Sequence, residues 1–498
     1  MRRLGLIAIV VVLCLSFGVI LCRLTFRIPA AAAQTGQAAQ LTSTSEAIPT
    51  RPLPAGVSVE ITHVAPPGSS MYWAKRGDTI ASVAHHFVSQ TSYLTSSELS
   101  EAIRQANGNP QSTSLKAGQT VIVPGILEAP IIEKTIPVPR DFEVRAVYLT
   151  GLMAGSDHGL RIIRRWRELG GNAVVFDVKD SDGAINIPFD HPLAGGHHVA
   201  IHDLPKFTHF LHSQGMHAIA RIAIFRDERL VVAHPELAVK SHKTGQAWRE
   251  NGKLVWTDPS QPKVQDYDIA LAMQAAQAGV DEVQFDYVRF PAEGDQRDAS
   301  FVFQTAHPDW HRSDVIADFL KRAYAQLHPT GVLLSLDVFG VMAWQRPVDL
   351  AHTGQDILRM AKFCDVLSPM IYPSHFFGMD GIAHPGDAPE HFIGESMDRF
   401  ELITKGSGVV IRPWLQAFHW RTKTYSPKYI EVQVMTAKNK GGVGFLFWNA
   451  NNDYSKPYVA MPEMRAAKGQ YFRGDELPGS VQARLVPTAS SVPPSAAP

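Results

Sequence analysis

Cysteine is scarce in this chain, and its placement restricts more than its number. Of 498 residues, three are cysteine: Cys14, Cys22 and Cys364. The first two sit in an N-terminal apolar run, so Cys364 stands alone in the remainder. That excludes a disulfide framework and a cysteine-built zinc site. Net charge is missing as well, because 47 basic residues balance 47 acidic ones. No basic field argues for a nucleic-acid partner. The 21 histidines form no metal signature: His197, His198, His202 and His212 lack ligand spacing, and no His-Glu-x-x-His occurs. A metal-dependent deacetylase is therefore a weak alternative, and neither a metal nor a cofactor is expected. Thr150-Gly151-Leu152-Met153-Ala154-Gly155 also lacks the spacing of a glycine-rich phosphate turn, which argues against an open doubly wound sheet.

What is present is ordinary globular composition, 45% hydrophobic and 19% charged, in a chain long enough for two or three domains. Met1-Arg2-Arg3 precedes an uncharged run from Leu4 to Cys22. A basic start before roughly 20 apolar residues reads as an export signal or a retained membrane anchor. Residues 1–29 are assigned to that segment, and export to the periplasm or cell envelope is expected, with residues 4–22 as the possible inner-membrane anchor. Residues 30–68, rich in Ala, Gln, Thr, Ser and Pro, read as a disordered linker, and residues 474–498 as a disordered tail.

Residues 70–126 form a small unit. Tyr72 to Ile80 reads as a strand, a glycine turn and a helix start, with Asp78 or Thr79 as the cap. Helices follow through Phe87 and over Ser97–Asn107, and a strand closes at Pro124. This βααβ order, with Gly77-Asp78-Thr79-Ile80, Ile103 to Asn107, Leu115-Lys116-Ala117-Gly118-Gln119 and the final Val-Pro, resembles the LysM domain. The loop over residues 89–96 is longer than that family usually has. The resemblance implies binding to N-acetylglucosamine polymers such as peptidoglycan.

From residue 138 to 473 short apolar strands alternate with amphipathic helices. Strands are expected at Glu143–Leu149, Ala173–Asp177, Ala218–Phe225, Val283–Asp286, Val332–Asp337, Val366–Met370, Val409–Gln416 and Val443–Trp448. Eight such repeats imply a parallel sheet closed as a (β/α)8 TIM barrel within the α/β class. The site then lies where the strands end. Asp286 and Asp337, on neighbouring strands four and five, are the candidate pair: Asp286 as nucleophile or base, Asp337 as acid. Under the two-residue alternation of strands, each shares a face with a polar residue two positions back, Gln284 and Ser335. Asp177, Lys179, Asp180, Arg221, Asp227, Arg289, Tyr372, Gln416 and Trp448 are the candidate substrate ligands. Arg221 and Arg289 are placed to lower the pKa of Asp286. Trp256 and Asp258, in the loop after strand three, are expected at the cleft.

Phe176-Asp177-Val178-Lys179-Asp180-Ser181-Asp182-Gly183, Arg221 to Asp227, Gln284-Phe285-Asp286-Tyr287-Val288-Arg289-Phe290-Pro291 and Ser368-Pro369-Met370-Ile371-Tyr372-Pro373 resemble the bacterial putative glycosyl hydrolase domain. That family is filed as a domain of unknown function and considered a distant relative of α-amylase-type barrels. The resemblance spans about residues 140–473. It implies the barrel fold and a strand-four aspartate nucleophile, here Asp286. Two positions depart from the amylase pattern: Gln284 stands where those enzymes carry an arginine, and Asp337 where they carry a glutamate. The expected function is hydrolysis of O-glycosidic bonds in an envelope or extracellular polysaccharide by two carboxyl groups. The alternative is a non-catalytic glycan- or peptidoglycan-binding scaffold.

Overall fold

A computed structural model describes residues 65–474 apart from Ser112 and His197. The expected export segment, most of the linker and the tail lie outside the described residues. Among the described residues no helix is long and apolar enough to cross a membrane.

The N-terminal unit has the expected βααβ order. Strand Ser69–Trp73 pairs antiparallel with Thr120–Pro124, and helices Ile80–Phe87 and Ser96–Ala106 lie between them in sequence. Thr79, not Asp78, caps the first helix, accepting from Ser82 N at 3.0 Å. Asp78 accepts instead from the Tyr72 hydroxyl (2.6 Å) and Lys75 N (2.7 Å). Ile80, Val83, Leu99, Ile103, Val121 and Val123 make the unit's own small core. It docks on the larger domain through Arg164–Glu98 (2.5 Å), Thr95 to Asp157 (2.5 Å) and Lys206 Nζ donating to the Val88 and Tyr93 carbonyls.

The larger domain is a closed parallel barrel. Its strands are β1 (Val144–Leu149), β2 (Ala173–Lys179), β3 (His217–Ala223), β4 (Glu282–Asp286), β5 (Leu333–Phe339), β6 (Val366–Met370), β7 (Trp414–Gln416) and β8 (Gly444–Trp448). Each pairs in parallel with the next, and β8 pairs with β1 to close the ring. The helices between them pack outside against apolar strand faces, and Ala146, Tyr148, Val175, Ile219, Trp414 and Leu446 fill part of the lumen.

Three helices open on proline, at Pro262, Pro389 and Pro427. Proline lacks the N–H that the first helical turn leaves unused, so it starts a helix as readily as it stops one. The same missing donor acts oppositely in a strand. The run 409–416 is not one strand but two pieces, Val410–Ile411 and Trp414–Gln416, interrupted at Arg412-Pro413. The long loops after β3 and β4 are tied together by a short antiparallel pair, Lys240–Ser241 with Ala299–Ser300.

Candidate active site

Strand β4 carries a polar residue at every inward position. Glu282, Gln284 and Asp286 share one face by the two-residue period, and all are buried. They occupy three successive levels of the lumen, and only the last reaches the mouth. The recorded pairing of β4 with β5 ends at Phe285 with Leu336, and Asp286 and Asp337 are the next residues along the two strands.

Arg221 on β3 binds the carboxylates together. Its Nη1 donates to Asp177 Oδ1 and its Nη2 to Asp286 Oδ2, both at 2.5 Å, and its Nε lies 3.6 Å from Asp337 Oδ2. Register places Arg221 directly beside Gln284. Arg221 thus reaches Asp286 from the adjacent strand, at the level of Gln284. Burial opposes the charge of Arg221, but Asp177 and Asp286 outweigh it and raise its pKa well above the usual value.

Asp337 is almost fully enclosed. The Trp414 indole N–H donates to its Oδ1 at 2.7 Å. Burial, and then the negative charge of Asp286, push its carboxyl well above the ordinary range, against the pull of Arg221. The mouth around these groups is a pocket of about 410 Å³, open to solvent. Its walls include Asp286, Asp337, Tyr287, Arg289, Tyr372, Trp414 and Trp448. Trp448 stacks on Tyr148 (4.1 Å, 25°) and meets Trp414 edge-on. Tyr287 follows Asp286 with φ of 54°, a left-handed conformation uncommon for a bulky residue. That turn lets its own N–H close on Asp286 Oδ1 at 2.5 Å.

The other expected ligands divide. Tyr372, Trp448, Arg221 and Arg289 line the pocket. Asp177 does not: it is fully buried behind Arg221, where the Tyr148 hydroxyl also donates to it. Lys179 is turned away altogether. Alternation from Asp177 would aim it inward, but the β2–β3 register slips between these residues, so that Lys179 pairs with Ile222. One extra residue flips every later side chain to the opposite face. Lys179 therefore points into the helical layer, 2.8 Å from Asp268 and 2.9 Å from Asp227. Asp227 is buried in that ion triad and caps helix Glu228–Ala233 through Leu230 N (2.8 Å). Gly183 packs against it so closely that a Cβ would fall 1.9 Å from its Oδ1. Asp180 is half-buried, accepts from Asn186 Nδ2 at 3.2 Å and adds negative charge beside Asp177.

Gln416 is buried and braces the loops after β6 and β7. It accepts from Ser374 N (3.2 Å) and donates to the Phe418 carbonyl (3.0 Å). Trp256 and Asp258 are likewise buried in loop packing and do not line the pocket; Asp258 accepts from Ser260 N and Val302 N. Arg289 makes no ion pair with Asp286. Tyr148, Tyr287, Phe339, Met370 and Trp414 also belong to the site, though none was among the expected ligands. Trp414 was within reach, since it lies two residues before Gln416 on the same strand face.

A closed parallel barrel with paired carboxyl groups, a shared arginine and aromatic walls at the strand ends defines a (β/α)8 barrel of the carbohydrate-active type. Residues 146–454 match the family described as the putative glycosyl hydrolase domain; the chain belongs to that family, and is a glycosidase by class. Among solved structures it is similar to a hypothetical protein from Ruminiclostridium thermocellum, at 35% identity over 39% of this chain and 97% of that one, with a TM-score of 0.35. It is also similar to the PgaB (BpsB) glycoside hydrolase domain from Bordetella bronchiseptica, at 15% identity over 67% of this chain and 99% of that one, with a TM-score of 0.51. The latter likeness concerns the fold alone. No curated protein matches the chain.

Proposed function

We propose that this protein is an exported glycoside hydrolase acting on an envelope or extracellular polysaccharide, with Asp286 as nucleophile or base and Asp337 as proton donor. The observation that carries the assignment is the contrast between these neighbours. Asp286 is ion-paired to Arg221 at the pocket wall, whereas Asp337 is enclosed and its carboxyl held well above the usual range. Two-carboxyl hydrolysis needs one group that retains its proton and one that does not. Trp414 fixes the Asp337 carboxyl through its N–H, and Trp448, Tyr372 and Tyr287 offer ring faces against which a sugar can pack.

The βααβ unit supports a second element of the proposal, a LysM-type module that holds the enzyme on N-acetylglucosamine polymers such as peptidoglycan. Trp73 at its strand end is 63% exposed, as a sugar-stacking residue would be. Export and envelope location rest on the apolar run from Leu4 to Cys22. The test is release of reducing ends from a panel of envelope and extracellular polysaccharides by the purified protein, beside the Asp286→Asn variant. Release by the wild type and none by the folded variant supports the assignment. Equal release would remove Asp286 from the mechanism, and retention on the polymers without any release would favour the non-catalytic scaffold.

A further inference from the structure

We propose that Arg289 makes the pocket a subsite for a carboxylate-bearing sugar, so that the preferred glycan contains a uronic acid. The inference rests on the glycosidase assignment for its context but on separate observations for its content. Arg289 follows Asp286 by three residues, is 5% exposed, and lines the same pocket. Among the described residues its one side-chain hydrogen bond runs from Nη1 to the carbonyl of its neighbour Phe290, at 3.0 Å. No carboxylate of the described residues forms an ion pair with it. Glu250, Asp286 and Glu293 act on it only from a distance, and burial lowers its pKa.

Three other cations buried in the barrel each hold a carboxylate. Arg221 holds Asp177 and Asp286. Arg412 holds Glu282, and Lys179 holds Asp227 and Asp268. An enclosed guanidinium without an anion is costly, and the fold spends structure on keeping this one in place. Trp256, Phe339 and Tyr287 surround it, with centroids 4.7, 4.4 and 5.4 Å from its Cζ. Rings at these distances hold a guanidinium by its faces. Its N–H edge is then what remains for a partner, and a carboxylate is the planar group that matches that edge with two parallel hydrogen bonds. The distant charges of Glu250, Asp286 and Glu293 disfavour a doubly charged phosphate there more than a singly charged carboxylate.

The test is calorimetric binding to the Asp286→Asn protein, which holds ligand without turnover. The probes are oligosaccharides of polyglucuronate, polygalacturonate and alginate, each paired with its carboxyl-reduced form, and inorganic phosphate as competitor. The expected result is that at least one uronate binds about tenfold or more tightly than its reduced partner. Adding Arg289→Met should erase the difference, and Arg289→Lys should restore part of it. Equal binding within every pair, or no binding by any uronate, overturns the proposal, and so does displacement by phosphate at lower concentration than by glucuronate. The wild-type pairs give this answer even if the Arg289→Met protein fails to fold. Tight uronate binding without hydrolysis by the wild type would overturn the glycosidase assignment and keep the subsite. Hydrolysis of neutral glycans alone would do the reverse.

Discussion

Two of the barrel's buried charge clusters, one at its mouth and one at its floor, are built to opposite ends. At the floor Arg412 Nη1 donates to Glu282 at 2.7 Å, and His217 lies 3.2 Å from the same carboxylate. Asp281 joins His217 to His212, which in turn meets Glu133 at 3.0 Å. Burial opposes the charge of Glu282, but Arg412 and then His217 outweigh it and bring its pKa down to about 2. At the mouth one arginine serves three carboxyl groups, and Asp337 is left far above the usual range. The same strand, β4, contributes Glu282 to one cluster and Asp286 to the other. Matched charges that solvent does not reach hold a fold together; carboxyl groups that share a cation beside a pocket are poised for proton transfer.

Two substitutions test this division most strongly. Asp286→Asn should reduce hydrolysis by at least about 1000-fold, some 4 kcal/mol in the barrier, since the amide can neither attack nor take a proton. Its melting temperature should stay within a few degrees of the wild type. Arg412→Met should do the opposite. Removing one partner of a buried pair costs about 3–5 kcal/mol, so calorimetry should record a large loss of stability, while the fraction that remains folded keeps its kcat. If Arg412→Met abolished kcat in folded protein, or Asp286→Asn melted like it, the separation of floor from mouth would fail.

The asymmetry between the clusters was only partly visible in the sequence. Alternation along β4 placed Gln284 and Asp286 inward, and the same rule extends two residues back to Glu282. Its floor partner was hidden, because Arg412 precedes Pro413 at the interruption of the seventh strand, where period two no longer applies. Lys179 was misplaced for a related reason: a one-residue register slip leaves no mark in composition. The eight repeats were legible because apolar strands and helices alternate along the domain. Which arginine serves Asp286 was not, because the pairing of Arg221 with Gln284 is a long-range register that no local pattern specifies.

Acid separates the clusters with a smaller effect. Glu282 is depressed in the folded chain, so the unfolded chain binds more protons and stability rises with pH. Its contribution is present above the ordinary value of 4.5 and is lost as pH falls toward about 2; it amounts to about 3 kcal/mol. The slope of melting temperature against pH over that interval should shrink in Glu282→Gln. Asp337 has the opposite sign: its raised pKa means the folded chain binds the extra proton, so its contribution to stability is lost as pH rises through the folded value. As the proposed acid, it should also set the alkaline limb of kcat/KM, and Asp337→Asn should remove that limb along with most of the activity. An unchanged alkaline limb in the residual rate would assign the proton donor elsewhere.

The smallest expected effect distinguishes support from chemistry within the mouth itself. Tyr148 donates to Asp177, and Asp177 in turn holds Arg221, two steps from Asp286. Tyr148→Phe keeps the ring that stacks on Trp448 and removes only the hydroxyl. Asp177 retains its bond to Arg221, so the loss should be that of one buried hydrogen bond, about 1 kcal/mol in stability. The rate should fall less than about tenfold, since Arg221 still spans Asp286 and Asp337. A loss approaching that of Asp286→Asn would mean that the hydroxyl takes part in proton transfer through Asp177. Asp177 would then belong with Asp286 and Asp337 at the proposed reacting centre, and the line between the mouth's positioning groups and its proposed catalytic pair would have to be redrawn around Arg221.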